Sequence, residues 1–255
     1  MSHRPVTNLL LVSTVIVAAG AIGAVGSRAQ DPASKTQLPT VEQVLDKYVQ
    51  SIGGRAALEK LSSRVMKGSY AIPTKSYSTT VEMYWKAPNK FKLVFTGKRN
   101  TAARGFDGTT GWSRDWSEEG LRELKGTELL ADQRETDFYR EIRLNQLYPQ
   151  MTLKGLEKVN DKDAFAIDAA TSDGTHETMY FEVDSGLLVR RDLKSFLGIH
   201  DVQLNLLNYR DVDSIKLPFI VQVVRVDKGF MNIFSFDRAL LNVKIDDRLF
   251  AKPAK

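Results

Sequence analysis

The side chains that most often carry catalysis are scarce in this chain. It has three histidines and no cysteine among 255 residues. His176-Glu177 lacks the second histidine of a zinc-binding H-E-x-x-H helix, and His200 and Asp201 are neighbours on a predicted strand, where adjacent side chains point to opposite faces. No G-x-S-x-G elbow, P-loop or dinucleotide-binding fingerprint occurs in the sequence. We therefore interpret both histidines as surface residues and predict no catalytic residue.

Paired acids are the other candidates for chemistry: Glu118-Glu119, Asp211-x-Asp213 and Asp246-Asp247. Each pair lies next to a turn-like segment, and none has the glycine-spaced pattern of a calcium loop. We predict that they are solvated turn residues. No metal, no cofactor and no enzymatic activity are therefore expected, with a hydrolase that uses such acids left as an alternative.

The stretch "GFDGTTGWSRDW" concentrates glycine, tryptophan and aspartate. Asp107-Gly108 is a strong hairpin dipeptide, because glycine tolerates the positive φ that a tight turn needs. We interpret Asp107 as a turn residue rather than a general base. Trp112 and Trp116 share a strand parity, which fits either a carbohydrate platform or aromatics that cover a sheet face, and we favour the second.

The first thirty residues predict export. His3 and Arg4 precede an uncharged apolar run over 8–26, and Ser27-Arg28-Ala29 supplies small residues at the positions that signal peptidase reads. We predict a signal peptide over residues 1–29, cleaved after Ala29. An uncleaved N-terminal membrane anchor is the alternative, since the run is nearly long enough to span a bilayer.

Composition and charge narrow the class of protein further. Hydrophobic residues make up 42% and charged residues 26%, close to the globular average. Cleavage after Ala29 would lower Lys+Arg from 36 to 34 against 31 Asp+Glu, for a net charge of +3. Because these charges are few and scattered, we predict no nucleic-acid partner. The missing cysteine excludes disulfides and a lipid-modified N-terminus.

The elements begin after a polar linker predicted over residues 30–39. Thr40 and Gln43 have capping-box spacing, apolar residues follow at helical spacing from Val41 to Ile52, and Gly53-Gly54 supplies the stop. From residue 61 the period changes to two, which predicts antiparallel strands. Residues 126–148 predict a second helix with an interrupted apolar stripe, and six or more strands follow it.

The strand pattern leaves an excess of apolar residues for one face. A strongly curved sheet would present them on its concave side, where one or two helices cannot fill so wide a space. The pattern alone fits a ligand cavity and a filled, dry core equally well. The expected lining residues are Tyr70, Ile72, Val81, Met83, Trp85, Phe91, Leu93, Phe95, Trp112, Phe165, Ile167, Phe181, Val183, Val221, Val223 and Phe234.

Several phrases of the sequence resemble one known family. They are "VEQVLDKYVQSIGGRAALEKL", "YWKAPNKFKLVF", "GFDGTTGW", "DSGLLVRRD", "YRDVDSIKLPF" and "NVKIDDRLFAKP", and they extend over residues 41–253. The chain resembles the LolA/LolB-type periplasmic carriers of lipoproteins, and most of all the bacterial outer membrane lipoprotein-sorting proteins.

The resemblance implies an α+β, mostly β domain over residues 40–255. In it an N-terminal helix and an internal helix cover an incomplete, strongly curved antiparallel β-barrel, a half-barrel that holds acyl chains. LolB-type members are anchored through a cysteine that this chain lacks, which implies a soluble, LolA-like protein. Members of the family hold their lid with an arginine, and Arg99 and Arg104 are candidates by location.

These observations together predict an exported, non-enzymatic periplasmic carrier. It would be a monomer that binds the acyl chains of a lipid or a lipidated protein in its concave cavity, with inner- or outer-membrane proteins as donor and acceptor. The alternative function is an envelope sensor or adaptor that uses the same concave sheet to bind a lipid or peptide of a partner protein.

Overall fold

The computed structural model of the chain describes residues 37–117, 120–194 and 201–254, without the side chain of Lys194. The predicted signal peptide and most of the predicted linker lie outside the described residues. From Leu38 onward the described residues form one compact unit. Within these ranges no helix combines the length and apolar character needed to cross a membrane.

The N-terminal helix, α1 (Val41–Ser51), begins and ends as its sequence predicts. The Thr40 hydroxyl accepts a hydrogen bond from the Gln43 amide at 3.2 Å, and the Gln43 side chain accepts one from the Thr40 amide at 2.8 Å. Gly53 has a φ of +127°. A Cβ at Gly53 would lie 2.7 Å from the Ser214 carbonyl oxygen, so the chain turns here in close contact with a strand hairpin.

Thirteen antiparallel strands form a single sheet within the described residues. They are β1 (Ser63–Ile72), β2 (Tyr77–Lys86), β3 (Lys90–Thr96), β4 (Thr101–Phe106), β5 (Gly111–Arg114), β6 (Leu121–Glu123), β7 (Gln150–Val159), β8 (Lys162–Ala170), β9 (His176–Glu182), β10 (Leu188–Lys194), β11 (Asp201–Val212), β12 (Ile215–Arg225) and β13 (Phe230–Leu241). Their order is β6-β5-β4-β3-β2-β1-β13-β12-β11-β10-β9-β8-β7, with β6 and β7 as the edges of an open, curved half-barrel. The predicted α+β, mostly β fold class is confirmed.

Period-two alternation fixes which residues share a face of the sheet. One row on the concave face consists of successive register partners on five strands: Met66, Met83, Leu93, Arg104 and Ser113. The row is apolar on β1 to β3 and polar on β4 and β5. The concave face therefore changes character toward the β6 edge.

The predicted internal helix is broken. It consists of α3 (Gly126–Thr136), a 3-10 turn (Arg140–Ile142) and α4 (Leu144–Leu147), whereas α2 (Arg55–Glu59) follows α1. The break lies at Asp137, whose φ of −51° and ψ of 125° are not helical. Its carboxylate accepts hydrogen bonds from the Tyr139 amide and from the Arg143 guanidinium, both at 2.9 Å. Aspartate competes with helical hydrogen bonding in this way, and it ends the helix here.

The helices fill one part of the concave face. Val44, Tyr48 and Val49 of α1 are buried, as is Ile52 directly after it, and the centroid of the Tyr48 ring lies 5.3 Å from that of Phe181. The segment after the helix break adds four buried residues to the same core: Phe138, Ile142, Leu144 and Tyr148. This part of the half-barrel is a packed core.

The C-terminal segment packs on the convex face. Val65, Ile245 and Phe250 form a separate apolar cluster there. The Trp112 indole N–H donates to the Phe250 carbonyl at 2.9 Å. Trp112 is the register partner of Gly105, so it lies on the face opposite to that of Arg104 and Ser113. This corrects its expected placement on the concave face.

The hairpin of the tryptophan-rich stretch is present with a longer loop than a two-residue turn. Phe106 and Gly111 are register partners, which leaves Asp107–Thr110 as the loop. The Asp107 carboxylate accepts from the amides of Thr109 and Thr110 at 2.9 and 2.7 Å. Asp107 is thus a turn residue, and the first tryptophan of the stretch covers a sheet face.

Candidate ligand-binding cavity

A cavity of about 710 Å³ lies in the part of the concave face that the helices leave open. Its apolar lining consists of Tyr70, Leu93, Phe95, Ala102, Ala103, Leu121, Val223 and Phe234. These residues come from β1, β3, β4, β6, β12 and β13. The volume falls in the range of about 300–1,000 Å³ that is typical of small-molecule sites.

Three aromatic rings form the floor of the cavity. The centroid of Tyr70 lies 4.8 Å from that of Phe95 and 5.0 Å from that of Phe234, and Phe95 lies 6.0 Å from Phe234. Tyr70 and Phe234 are register partners on β1 and β13, whereas Phe95 reaches the group from β3. The result is an apolar surface built on neighbouring strands. Burial raises the pKa of Tyr70, so its phenol stays protonated.

Polar residues line the rest of the cavity: Arg104, Ser113, Arg114, Asp115, Arg122 and Asn232. The Arg104 Nε lies 3.0 Å from a carboxylate oxygen of Asp132, and Arg122 forms two hydrogen bonds with Glu128 at 2.7 and 2.5 Å. Both acids belong to α3, so two ion pairs connect this helix to the β4 to β6 wall of the cavity. The amide oxygen of Asn232 is buried and has no hydrogen-bond partner within the described part of the chain.

The C-terminal end of α3 is connected to β9 and β10, on the other side of the half-barrel. The Arg191 guanidinium donates to both carboxylate oxygens of Glu135 at 2.9 and 2.8 Å and to Glu177 at 3.0 Å. Arg140 donates to Glu177 and to the Tyr148 hydroxyl, each at 3.0 Å. Charges on β9, β10, α3 and the 3-10 turn therefore form one buried network.

Burial and neighbouring charges shift the pKa values of the residues in and near this network. Burial alone would raise the pKa of Glu135, but Arg191 and Arg140 lower it to about 2. Burial raises the pKa of Tyr148 to about 12. Burial also raises the pKa of Asp132, and Arg104 only partly opposes this effect. Helix α3 is thus held by charges whose ionisation depends on pH.

The sixteen expected lining residues separate into groups. Five line the cavity, and all of these except Val223 also pack against the edge of the core: Tyr70, Leu93, Phe95, Val223 and Phe234. Five are buried in the packed core: Val81, Trp85, Phe91, Ile167 and Phe181, and three more are half-buried against it: Met83, Phe165 and Val221. Ile72 and Val183 are half-buried outside both groups, and Trp112 lies on the convex face. The concavity is therefore divided between core and cavity.

Sequence reasoning placed no polar residue in the lining, although it named Arg104 as a candidate to hold the lid. Asn232 lies on the same face of β13 as Phe230, Phe234 and Phe236. It is therefore a polar side chain in a row of apolar ones. The same holds for Arg104 between Ala102 and Phe106 on β4. A polar residue on the core parity of a strand is the pattern that would have identified both.

The other chemistry-bearing residues lie apart from the cavity or act locally. His176 is exposed on β9, 4.0 Å from Asp168. Asp246 accepts from the Arg248 amide at 2.9 Å, and Asp247 pairs with Lys86 at 2.6 Å. Asp211 pairs with Lys216 at 2.8 Å. The Glu118-Glu119 pair and His200 lie outside the described residues.

The chain was compared with known proteins by sequence and by structure. No protein-family model matches it, and no curated protein matches it. Solved structures do resemble it. A LolA superfamily protein from Nitrosomonas europaea superposes with a TM-score of 0.58 at 13% identity, over 84% of this chain and 99% of that one.

Two further structures are similar to the same extent. A structure described as an outer membrane lipoprotein-sorting protein domain, from Vibrio parahaemolyticus, gives a TM-score of 0.57 at 12% identity over 84% of this chain and 98% of its own. A DUF1329 family protein from Desulfovibrio piger gives 0.54 at 14% identity over 83% and 97%. The chain has a LolA-like fold.

Proposed function

We propose that this protein is an exported, non-enzymatic carrier that binds an acyl chain of a lipid or lipidated protein in the cavity of its concave face. The observation that carries the proposal is the divided concavity: the helices fill one part, and a space of about 710 Å³ with an aromatic floor stays open in the other. The description of the Vibrio parahaemolyticus domain as lipoprotein-sorting is consistent with this role.

The energetics of such a cavity suit a carrier. Each methylene moved from water to an apolar site contributes about 0.8 kcal/mol. A lipid that leaves a bilayer must keep that stabilisation along most of its chain. The aromatic floor of Tyr70, Phe95 and Phe234 supplies a continuous apolar surface for this purpose.

Helix α3 is suited to control access to the cavity. Only Asp132 and Thr136 of this helix are buried, and Leu130 is 52% exposed, so apolar packing contributes little to its position. Ion pairs at Arg104 and Arg122 connect it to the cavity wall. We propose that Arg104, one of the two candidates by location, is the arginine that holds this covering helix.

A cavity-filling substitution tests the proposal. Val223 lines the cavity from near the end of β12, so Val223→Trp places an indole into the space that an acyl chain would occupy. The measurement is titration of the exported protein with a fatty acid whose fluorescence rises in an apolar environment. We expect saturable binding by the wild type and at least about a tenfold loss of affinity in Val223→Trp, since several methylenes lose their contacts.

Val224→Trp is the matched control. Val224 is the next residue on the same strand, so its side chain lies on the opposite face of the sheet. This variant should bind the probe as the wild type does. Equal binding by all three proteins, or no binding by any, would contradict the proposed site.

A further inference from the structure

Three hairpin turns meet at the end of the sheet where the cavity lies: residues 73–76, 97–100 and 226–229. The Lys75 ammonium lies 5.3 Å from the Phe230 ring, which brings the first and third turns together. The Asn100 side chain donates to the Trp116 carbonyl, which joins the second turn to the residues that follow β5. We call the three turns with Tyr77 and Trp116 the rim.

The rim exposes large apolar groups. Tyr77 and Trp116 are each 37% exposed, and Val226 is 59% exposed. The Tyr77 and Trp116 rings meet edge to face at 6.4 Å. Of the three tryptophans of the chain, Trp85 and Trp112 are buried, so Trp116 is the exposed one. Tryptophan and tyrosine are the residues that favour the boundary between lipid headgroups and acyl chains.

The rim and the residue beside Trp116 carry a small excess of positive charge within the described residues. Four cations, Lys75, Lys98, Arg99 and Lys228, are exposed there, against two exposed acids, Asp115 and Asp227. None of these four cations has an ion-pair partner within the described residues. Glu118 and Glu119, which follow Trp116 in the sequence, lie outside the described ranges. Exposed cations beside exposed aromatics are complementary to the surface of an anionic bilayer.

The rim is continuous with the cavity. Trp116 lies 6.5 Å from Phe95, and Phe95 lies 4.8 Å from Tyr70 on the cavity floor. Aromatic rings therefore lead from the exposed edge of the sheet into the apolar space. An acyl chain that follows them would stay in contact with apolar groups from the bilayer to the floor.

We propose that the rim is a membrane-docking surface, which binds the interface of an anionic phospholipid bilayer and places the cavity against it. That a lipid enters the cavity along the rim rests on the proposed function. The docking itself does not, because a bilayer is bound through the exposed residues whether or not the cavity takes up a lipid.

Quenching of tryptophan fluorescence by brominated phospholipids tests the docking. The exported protein is mixed with vesicles of equal parts phosphatidylglycerol and phosphatidylcholine that carry bromine on their acyl chains. We expect the protein to sediment with the vesicles and the emission of Trp116 to be quenched. Trp116→Phe should remove the quenched component, since Trp85 and Trp112 are buried. Vesicles of phosphatidylcholine alone should bind much less protein.

Charge-matched double variants identify the surface. In Lys98→Gln/Arg99→Gln the loss of two cations should weaken vesicle binding about thirtyfold, at about fivefold per basic residue near an anionic membrane. Lys60→Gln/Lys154→Gln removes the same charge from two exposed lysines outside the rim and should bind as the wild type does. Equal weakening in both variants would show that net charge attracts the protein and would overturn the proposal.

Two further outcomes are decisive. Leu93→Glu, which introduces a carboxylate into the cavity, should still sediment with vesicles, so that failure of lipid uptake and failure of docking are told apart. A wild type that does not sediment with anionic vesicles, or whose Trp116 is not quenched when it does, would overturn the docking surface. The exposed rim would then be a site for a protein partner.

Discussion

At the scale of single residues, the parity of a strand position decides which face of the sheet its side chain lies on, but not its role. Leu93 and Val81 lie on neighbouring strands and on the same concave face, yet Leu93 lines the cavity and Val81 is fully buried in the core. The difference comes from the helices that cover only one part of the face. Alternation in the sequence identifies the face but contains no information about this cover.

One pair of substitutions makes that difference measurable. Val81→Glu places a charge into packed core, which costs several kcal/mol and is comparable to the whole free energy of unfolding of a domain. Leu93→Glu places the same charge where water can enter, so it should fold and lose its ligand. Thermal melting should show a Tm far below wild type for Val81→Glu and a small change for Leu93→Glu.

Thr80→Glu, on the opposite face and exposed, is the control and should melt as the wild type does. If Leu93→Glu fails to fold as Val81→Glu does, the space beside Leu93 behaves as core and the cavity is ruled out.

At the scale of elements, α3 differs from α1 in what holds it. Helix α1 buries an apolar stripe, which the spacing of its residues predicts from the sequence. Helix α3 is held by ion pairs at Glu128, Asp132 and Glu135. The partners of these three acids lie 6, 28 and 56 residues away along the chain and leave no periodic pattern. Sequence reasoning therefore finds the helix but neither its attachments nor its break at Asp137.

Acid should release α3. The pKa of Glu135 is lowered to about 2 in the folded protein by Arg191 and Arg140, against the burial that would raise it. Its ionised form therefore stabilises the native state above the ordinary pKa of 4.5, and this stabilisation is lost as the pH falls from 4.5 toward 2. The loss should be on the order of 2 kcal/mol, since part of the carboxylate is exposed.

Amide hydrogen exchange of α3 measures this release. Glu135→Gln should speed exchange over Gly126–Thr136 at neutral pH and should flatten the dependence of stability on pH below 4.5. Glu42→Gln makes the same charge change in the first turn of α1 and should leave α3 unchanged. Equal protection of α3 in wild type and Glu135→Gln would show that the ion pairs do not hold it.

At the scale of the whole molecule, the strand patterns and the order of elements predict the fold well. Two helical segments, an open antiparallel sheet and the capping box of Thr40 and Gln43 all follow from local spacing. The division of the concave face into core and cavity does not follow from local spacing. It depends on how helices α1 to α4 pack against side chains from strands that are distant in the sequence. For this reason five of sixteen expected residues line the cavity, and Asn232 was missed.

Export remains a prediction that one mass measurement checks. The box Ser27-Arg28-Ala29 predicts cleavage before Gln30. The intact mass of the protein from the periplasm of an exporting host should correspond to a chain that starts at Gln30, with or without cyclisation of that glutamine. A full-length chain in the membrane fraction would instead indicate an N-terminal anchor.

The central claim is that the cavity of the half-barrel holds an acyl chain. Native mass spectrometry of the protein purified from an exporting host without detergent tests it most directly. We expect the wild type to carry an additional mass that organic solvent releases as a lipid, and we expect Val223→Trp and Leu93→Glu to be folded and to lack it. A folded wild type that carries no lipid, and that gains none after incubation with phospholipid vesicles, would contradict the account.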